Sequence, residues 1–288
     1  MTPRDSALPW KTVRDAALLL TLLLLPLAPS TTGAGAPPLA AAERGSGKPT
    51  VVLIHGLGQD REVRDRVAAR LESRYRLLLV DLPGHGASAS IANVSVDAVA
   101  DVLDRTLKER KVKQALLVGH SYGGLVALAE AARHPDRAAG VVSIDIATYV
   151  DIDSERVANL EQIIAQRYPL FLRGVYEPMT HDSSQVEPVI AKASKVPREV
   201  LTEYFRDAWR ANLRPSIRTL KTPVLVVATD VTWPGAESWT SARKRLGYET
   251  AGPAIGRRIW GSGHLVQLDE PDTLAVAISD FAETLKKK

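Results

Sequence analysis

From Pro49 onward, short unbroken apolar runs take turns with stretches in which apolar side chains recur every three or four residues. The runs are TVVLIHG (50–56), YRLLLVDLPG (75–84), QALLVGHS (114–121), GVVSID (140–145), TPVLVVATD (222–230) and RRIWGSGH (257–264). Runs rich in Val, Leu and Ile that do not alternate with polar residues predict strands buried on both faces, because a sheet covered by helices has no solvent side. The intervening segments REVRDRVAARLESR (61–74) and SVDAVADVLDRTLKERK (95–111) carry the helical period. Further helices are expected over 122–133, stopped by Pro135, over 237–246 and over 271–285. Between about Ile146 and Leu220 the rhythm changes: SERVANLEQIIAQRY (154–168) and REVLTEYFRDAWRANL (198–213) follow one another with no strand between them. The pattern predicts an α/β protein, a mostly parallel central sheet flanked by helices, with an inserted helical cap. Its divisions are a leader and linker over 1–42, a first core segment over 43–147, the cap over 148–219 and a second core segment over 220–288.

The leader departs from this pattern. Arg4, Lys11 and Arg14 precede the apolar AALLLTLLLLPLAP (16–29), and small residues follow in STTGAGAPPLAAAE (30–43). A basic start, a short apolar stretch interrupted by Pro26 and a run of small residues predict an export signal, with cleavage after Ala34, Ala36 or Ala42. The expected location is periplasmic or secreted, with an uncleaved membrane anchor as the alternative. The chain has no cysteine, so neither a disulfide nor a cysteine-linked lipid is available to it. With 37 basic against 33 acidic residues there is no field suited to nucleic acid, and the run Lys286 to Lys288 reads as a solvated tail.

Candidate chemistry concentrates in Gly119-His120-Ser121-Tyr122-Gly123. A seryl hydroxyl is protonated at neutral pH, so as a nucleophile it needs an adjacent base and must stand clear of the backbone. A strand turning sharply into a helix meets the second demand, and flanking glycines keep the turn free of side chains. The new helix also directs free amides toward a developing oxyanion.

With the strand before and the helix after, the chain resembles the α/β-hydrolase family from about residue 48 to the C-terminus. HGLG (55–58) resembles the family's oxyanion loop, DLPGHGAS (81–88) the loop after its next strand, and VVATDVTWP (226–234) and GSGHLVQLDEP (261–271) its acid and histidine segments. The resemblance implies Ser121 as nucleophile, His264 as base and Asp230 as the acid that orients it, with Asp145 at the end of GVVSID as the rival acid. It implies the backbone amides of Leu57 and Tyr122 as oxyanion donors. Asp230 is preferred because Trp233-Pro234 suits the turn, although its loop is shorter than in many relatives.

Tyr168, Phe171, Tyr176, Trp209 and Trp233 are the expected substrate contacts, forming an apolar and partly aromatic pocket. His55, His85 and His120 are expected to brace loops rather than titrate, and Asp269 to be structural. No histidine pair has metal-ligand spacing, so neither metal nor cofactor is expected. The implied reaction is hydrolysis of a small ester, lactone or related acyl compound through an acyl-serine, with that substrate and water as the partners. The alternatives are a ligand-binding protein on the same scaffold, and carbon–carbon, thioester or amide hydrolysis or perhydrolysis.

Overall fold

A computed structural model describes residues 36–252 and 254–286; of the leader and linker expected over 1–42, residues 1–35 lie outside them. Seven strands form one sheet in the order β1-β3-β2-β4-β5-β6-β7. They are β1 Ala41–Arg44, β2 Thr50–Ile54, β3 Arg76–Val80, β4 Ala115–His120, β5 Ala138–Ile144, β6 Val224–Ala228 and β7 Ala254–Arg258. All neighbours pair in parallel except β1, which lies antiparallel to β3 at the edge. β4 is the middle strand, fully buried along its length.

Alternate side chains of the apolar runs feed two separate cores. Val51, Leu53, Leu116, Val118, Val142 and Ile144 pack with Leu274 and Ile278 of α10 (Pro271–Leu285), on the face that α1 (Asp65–Leu71) also covers. Val52, Ile54, Leu117 and Val141 pack on the other face, against α2 (Val96–Glu109) and α3 (Tyr122–Arg133). Each fully buried Leu or Val contributes roughly 1.5–3 kcal/mol, which is why strands without a polar face are stable here and nowhere at a surface. The parallel strands all deliver their carboxyl ends to one edge, where loops that carry chemistry collect.

Two expectations shift. β1 has no counterpart among the expected strands: AAER has no apolar run, and this short edge strand begins inside the segment assigned to the linker. The last strand occupies Ala254–Arg258 rather than RRIWGSGH, so His264 sits in the loop beyond it.

Between β5 and β6 stand α4 (Ser154–Tyr176), α5 (Val186–Ala193), α6 (Arg198–Arg210) and α7 (Arg214–Ile217); α8 (Trp239–Arg245) and α9 (Val266–Asp269) follow β6 and β7. The insertion is closed at its neck by backbone bonds from Val150 N to Ala211 O and from Leu213 N to Thr148 O, at 3.2 and 2.7 Å. α4 breaks at Arg167 (φ −141°, ψ 47°), two residues before Pro169. A proline inside a helix removes the amide that would bond the carbonyl four residues back. That carbonyl belongs to Ala165, and Arg198 of α6 donates to it at 2.8 Å as well as to the carbonyl of Ile164. The cap has its own apolar centre, with Phe171, Leu172, Val189, Leu201 and Phe205 packing on Leu265 of the main body.

Candidate active site

Ser121 stands between β4 and α3 with φ 52° and ψ −126°, a conformation that side chains rarely adopt. Its own amide bonds Ile144 O at 2.9 Å, and its carbonyl accepts from Gly124 N at 2.7 Å. The glycines on either side are required sterically. A Cβ on Gly119 would come within 2.0 Å of the carbonyl oxygen of Gly123, and one on Gly123 within 2.5 Å of the carbonyl oxygen of His55. The hydroxyl is therefore raised on a turn that no residue with a side chain could make at those two positions.

Ser121 and His264 line one cavity of about 50 Å³ at the carboxyl edge of the sheet, beneath the cap. His264 Nδ1 lies 2.7 Å from Asp145 Oδ2. Holding the proton on Nδ1 leaves Nε2 as the basic nitrogen. Asp145 is 1% exposed, and its other oxygen accepts from Thr229 N and Thr229 Oγ1, both at 2.8 Å, and from the Thr232 hydroxyl. A buried carboxylate satisfied on one oxygen and aimed at an imidazole with the other is suited to orient that ring.

This corrects the preference for Asp230. Asp230 pairs instead with Arg258 Nη2 at 2.9 Å and accepts from Gly261 N at 2.8 Å, and the Arg258 guanidinium holds its carboxyl below the ordinary carboxylate range. The residues after β6 do serve the histidine, but through Thr229 and Thr232, which hold Asp145. Asp145 itself takes a left-handed conformation, φ 51°, directly after β5.

Two histidines brace the 55–58 loop, the segment expected to supply an oxyanion donor. His55 Nε2 accepts from Leu82 N at 2.9 Å while its Nδ1 faces Gly56 O, and His85 Nε2 accepts from Gly58 N at 3.1 Å while its Nδ1 faces Pro83 O. Each ring must be neutral to accept and donate in this way, and burial pushes both down to about 3. Leu57 lines the cavity, and its carbonyl accepts from Tyr176 Oη at 3.0 Å. Tyr122 opens α3, so its amide lies among those at a helix N-terminus that have no partner within the helix. Its phenol, kept protonated by burial and by the nearby Asp207 carboxylate, donates to Asp207 Oδ2 at 2.6 Å.

Among the five residues expected to contact substrate, Tyr176 lines the cavity. Phe171 is buried in the cap's interior, Tyr168 stacks on Phe171, and Trp209 packs against Phe205, so these three support the cavity wall from behind. Trp233 does not line it: it packs on Ala228, Ala242 and Trp239, with Nε1 donating to Glu237 O at 2.7 Å. The lining that the residue pattern did not reveal comprises Gln59, Met179, Phe205 and Leu265, together with His120. Phe205 falls on the inner face of an amphipathic helix, but nothing in a single sequence says which helical face meets the cavity.

Asp269 joins the cap to the histidine loop, accepting from Thr180 Oγ1 at 2.5 Å and Gly263 N at 2.8 Å. Among the described residues no group of three or more His, Asp or Glu side chains could hold a metal ion, and no helix is long and apolar enough to cross a membrane.

A family profile described as alpha/beta hydrolase matches residues 51–277. A 2-(acetamidomethylene)succinate hydrolase of Mesorhizobium japonicum is 26% identical over 265 residues, covering 85% of this chain and 91% of that protein. A pimeloyl-[acyl-carrier protein] methyl ester esterase of Chromobacterium violaceum is 47% identical over 89 residues, a segment that spans 31% of this chain and only 34% of the esterase. Among solved structures, the enol-lactonase of Burkholderia xenovorans superposes with a TM-score of 0.73 at 21% identity, covering 84% of this chain and 95% of that one. A thermophilic esterase of Thermogutta terrifontis gives 0.73 at 22%, covering 86% and 93%.

Proposed function

The chain belongs to the alpha/beta hydrolase family, and from that premise we propose that it is a serine hydrolase acting on a small carboxylic ester or lactone through an acyl-serine. One observation carries the proposal: the strained Ser121 and the Asp145-paired His264 share a single cavity. In the proposed reaction, Ser121 Oγ attacks the carbonyl carbon as His264 Nε2 takes its proton. Asp145 fixes the ring's tautomer and stabilises the imidazolium. The amides of Leu57 and Tyr122 receive the negative charge that develops on the carbonyl oxygen; one such donor is typically worth about 3–4 kcal/mol. His264 then returns the proton to the leaving alkoxide, and the ester bond breaks. Water repeats the sequence on the acyl-serine, releasing the acid and restoring the hydroxyl.

A cavity of about 50 Å³ is small beside ordinary ligand pockets, which supports a short acyl group. The names of the relatives, an esterase, a lactonase and a hydrolase of a small acid, support the same substrate class. Export is proposed on the leader sequence alone.

The test is active-site labelling with a fluorophosphonate, together with kcat/KM on short-chain p-nitrophenyl esters. Wild type should label on Ser121 and Ser121→Ala should not. Asp145→Asn should lower kcat by roughly 10³–10⁴-fold, as loss of the orienting acid does elsewhere. Asp230→Asn should stay within about tenfold of wild type. A folded wild-type protein that neither labels nor turns over would end the hydrolase reading. Collapse of Asp230→Asn with Asp145→Asn intact would reassign the acid.

A further inference from the structure

Two polar side chains of the cavity have no task in the reaction as derived. Gln59, the residue after the oxyanion loop, is 2% exposed and lines the cavity. Neither its amide oxygen nor its amide nitrogen meets a partner among the described residues. His120, beside the nucleophile, is 1% exposed and also lines the cavity. Its Nε2 lies 2.7 Å from the carbonyl oxygen of His264. A carbonyl only accepts, so the proton of this neutral ring sits on Nε2, and Nδ1 is a bare acceptor. That nitrogen too is buried without a partner. A Cβ on Gly56 would stand 3.0 Å from His120 Nδ1 and 3.1 Å from Ser121 Cβ. The bare nitrogen, the nucleophile and the oxyanion loop thus converge on one spot.

Folded chains pair nearly all buried polar atoms, because each unpaired one is destabilising. Apart from Ser121 and His264, the rest of this wall is largely apolar, formed by residues such as Leu57, Met179, Phe205 and Leu265. A leucine or methionine at position 59 would suit such a wall better than an amide does. An amide that shares a cavity with an unpaired acceptor offers a bound molecule two polar contacts. An alkyl chain can complete neither. A carboxylate could accept from Gln59 but has no proton for Nδ1. A hydroxyl can do both at once, donating to His120 Nδ1 and accepting from Gln59 Nε2.

We propose that Gln59 and His120 form a polar subsite beside the nucleophile, and that the preferred substrates are short esters or lactones whose acyl part carries a hydroxyl close to the scissile carbonyl. The proposal rests on the acyl-serine reading above and narrows it from any small ester to hydroxyacyl esters. A site built to hydrogen-bond a substrate hydroxyl discriminates strongly against the analogue that lacks it, because its own polar atoms are then left unpaired.

The measurement is kcat/KM for the methyl esters of butyrate, 2-hydroxybutyrate and 3-hydroxybutyrate, followed by acid release. Each value is divided by the rate of hydroxide-catalysed hydrolysis of the same ester, which removes the hydroxyl's intrinsic electronic effect. Wild type should favour one of the two hydroxy esters over butyrate by at least about tenfold, and Gln59→Met should bring that ratio toward one. A corrected wild-type ratio at or below one, with Ser121 still labelled by fluorophosphonate, overturns the subsite and leaves the hydrolase. Absence of labelling overturns the acyl-serine reading itself. A folded Gln59→Met that keeps the wild-type ratio removes Gln59 from the subsite. If that variant does not fold, the corrected wild-type ratio alone decides.

Discussion

Asp145 and Asp230 follow adjacent parallel strands, and what separates them is the company each carboxylate keeps. Asp145 is buried, with two threonines on one oxygen and an imidazole on the other; Asp230 is a third exposed and engaged by Arg258. A second carboxylate shows the opposite situation. Glu130 of α3 is buried with neither oxygen partnered, and burial pushes its pKa up to about 8, with Asp104 nearby adding to the shift. Below its ordinary value of 4.5 both folded and unfolded chains hold the proton, and no stability is lost. As pH rises from there toward about 8 only the folded chain keeps it, so folding weakens by about 1.4 kcal/mol per pH unit. Above about 8 the loss is complete and no longer grows. Glu130→Gln should therefore gain on wild type across this window, read from urea unfolding at several pH values between about 5 and 9. A difference that does not change with pH would show that the carboxyl is not held protonated. Neither Asp145's role nor Glu130's isolation could be read from their immediate neighbours in the chain.

Helix α6 does more than cover the cavity. Its Asp207 takes the hydroxyl of Tyr122, its Tyr204 meets the Tyr122 ring edge to face at 5.0 Å, and Tyr204 Oη donates to Pro83 O at 2.9 Å. Tyr204 also packs on His85, the ring that accepts from Gly58 N. The cap thus grips both segments assigned as oxyanion donors. Asp207→Ala would leave a buried phenol without its acceptor, at a cost of about 1–3 kcal/mol. It should lower kcat more than it raises KM, measured by urea unfolding beside steady-state kinetics. A change confined to KM would reduce α6 to a substrate wall. At this scale the strands of the inner sheet, α3 and α10 were legible, because each depends on a local repeat of apolar residues. Pro169 marks the break in α4 locally, whereas β1 and the position of β7 were not legible, since strand pairing joins residues far apart along the chain.

For the molecule as a whole, the described body begins before its first strand. Leu39 is 3% exposed with its amide on Thr106 Oγ1 at 2.8 Å, and Ala40 N bonds Ser88 Oγ at 2.9 Å. A chain starting at Ala36 should match the thermal stability of one carrying the small-residue segment. A chain starting at Glu43 loses Leu39 and half of β1, and its Tm should fall by several degrees, about what loss of one buried leucine produces. Equal Tm values would mean that β1 adds nothing to the sheet. A leader cleaved after Ala34 or Ala36 leaves this edge whole, whereas cleavage after Ala42 removes it. What the sequence determined by itself is everything that neighbours in the chain decide: the doubly covered sheet, the cap's interruption of the strand rhythm, and a strand-to-helix turn carrying Ser121 between Gly119 and Gly123. Only the tertiary structure decided which acid meets His264, which aromatics face the cavity and where Gln59 is stranded. Those are matters of distance between segments far apart in the chain, and packing, rather than local periodicity, sets them.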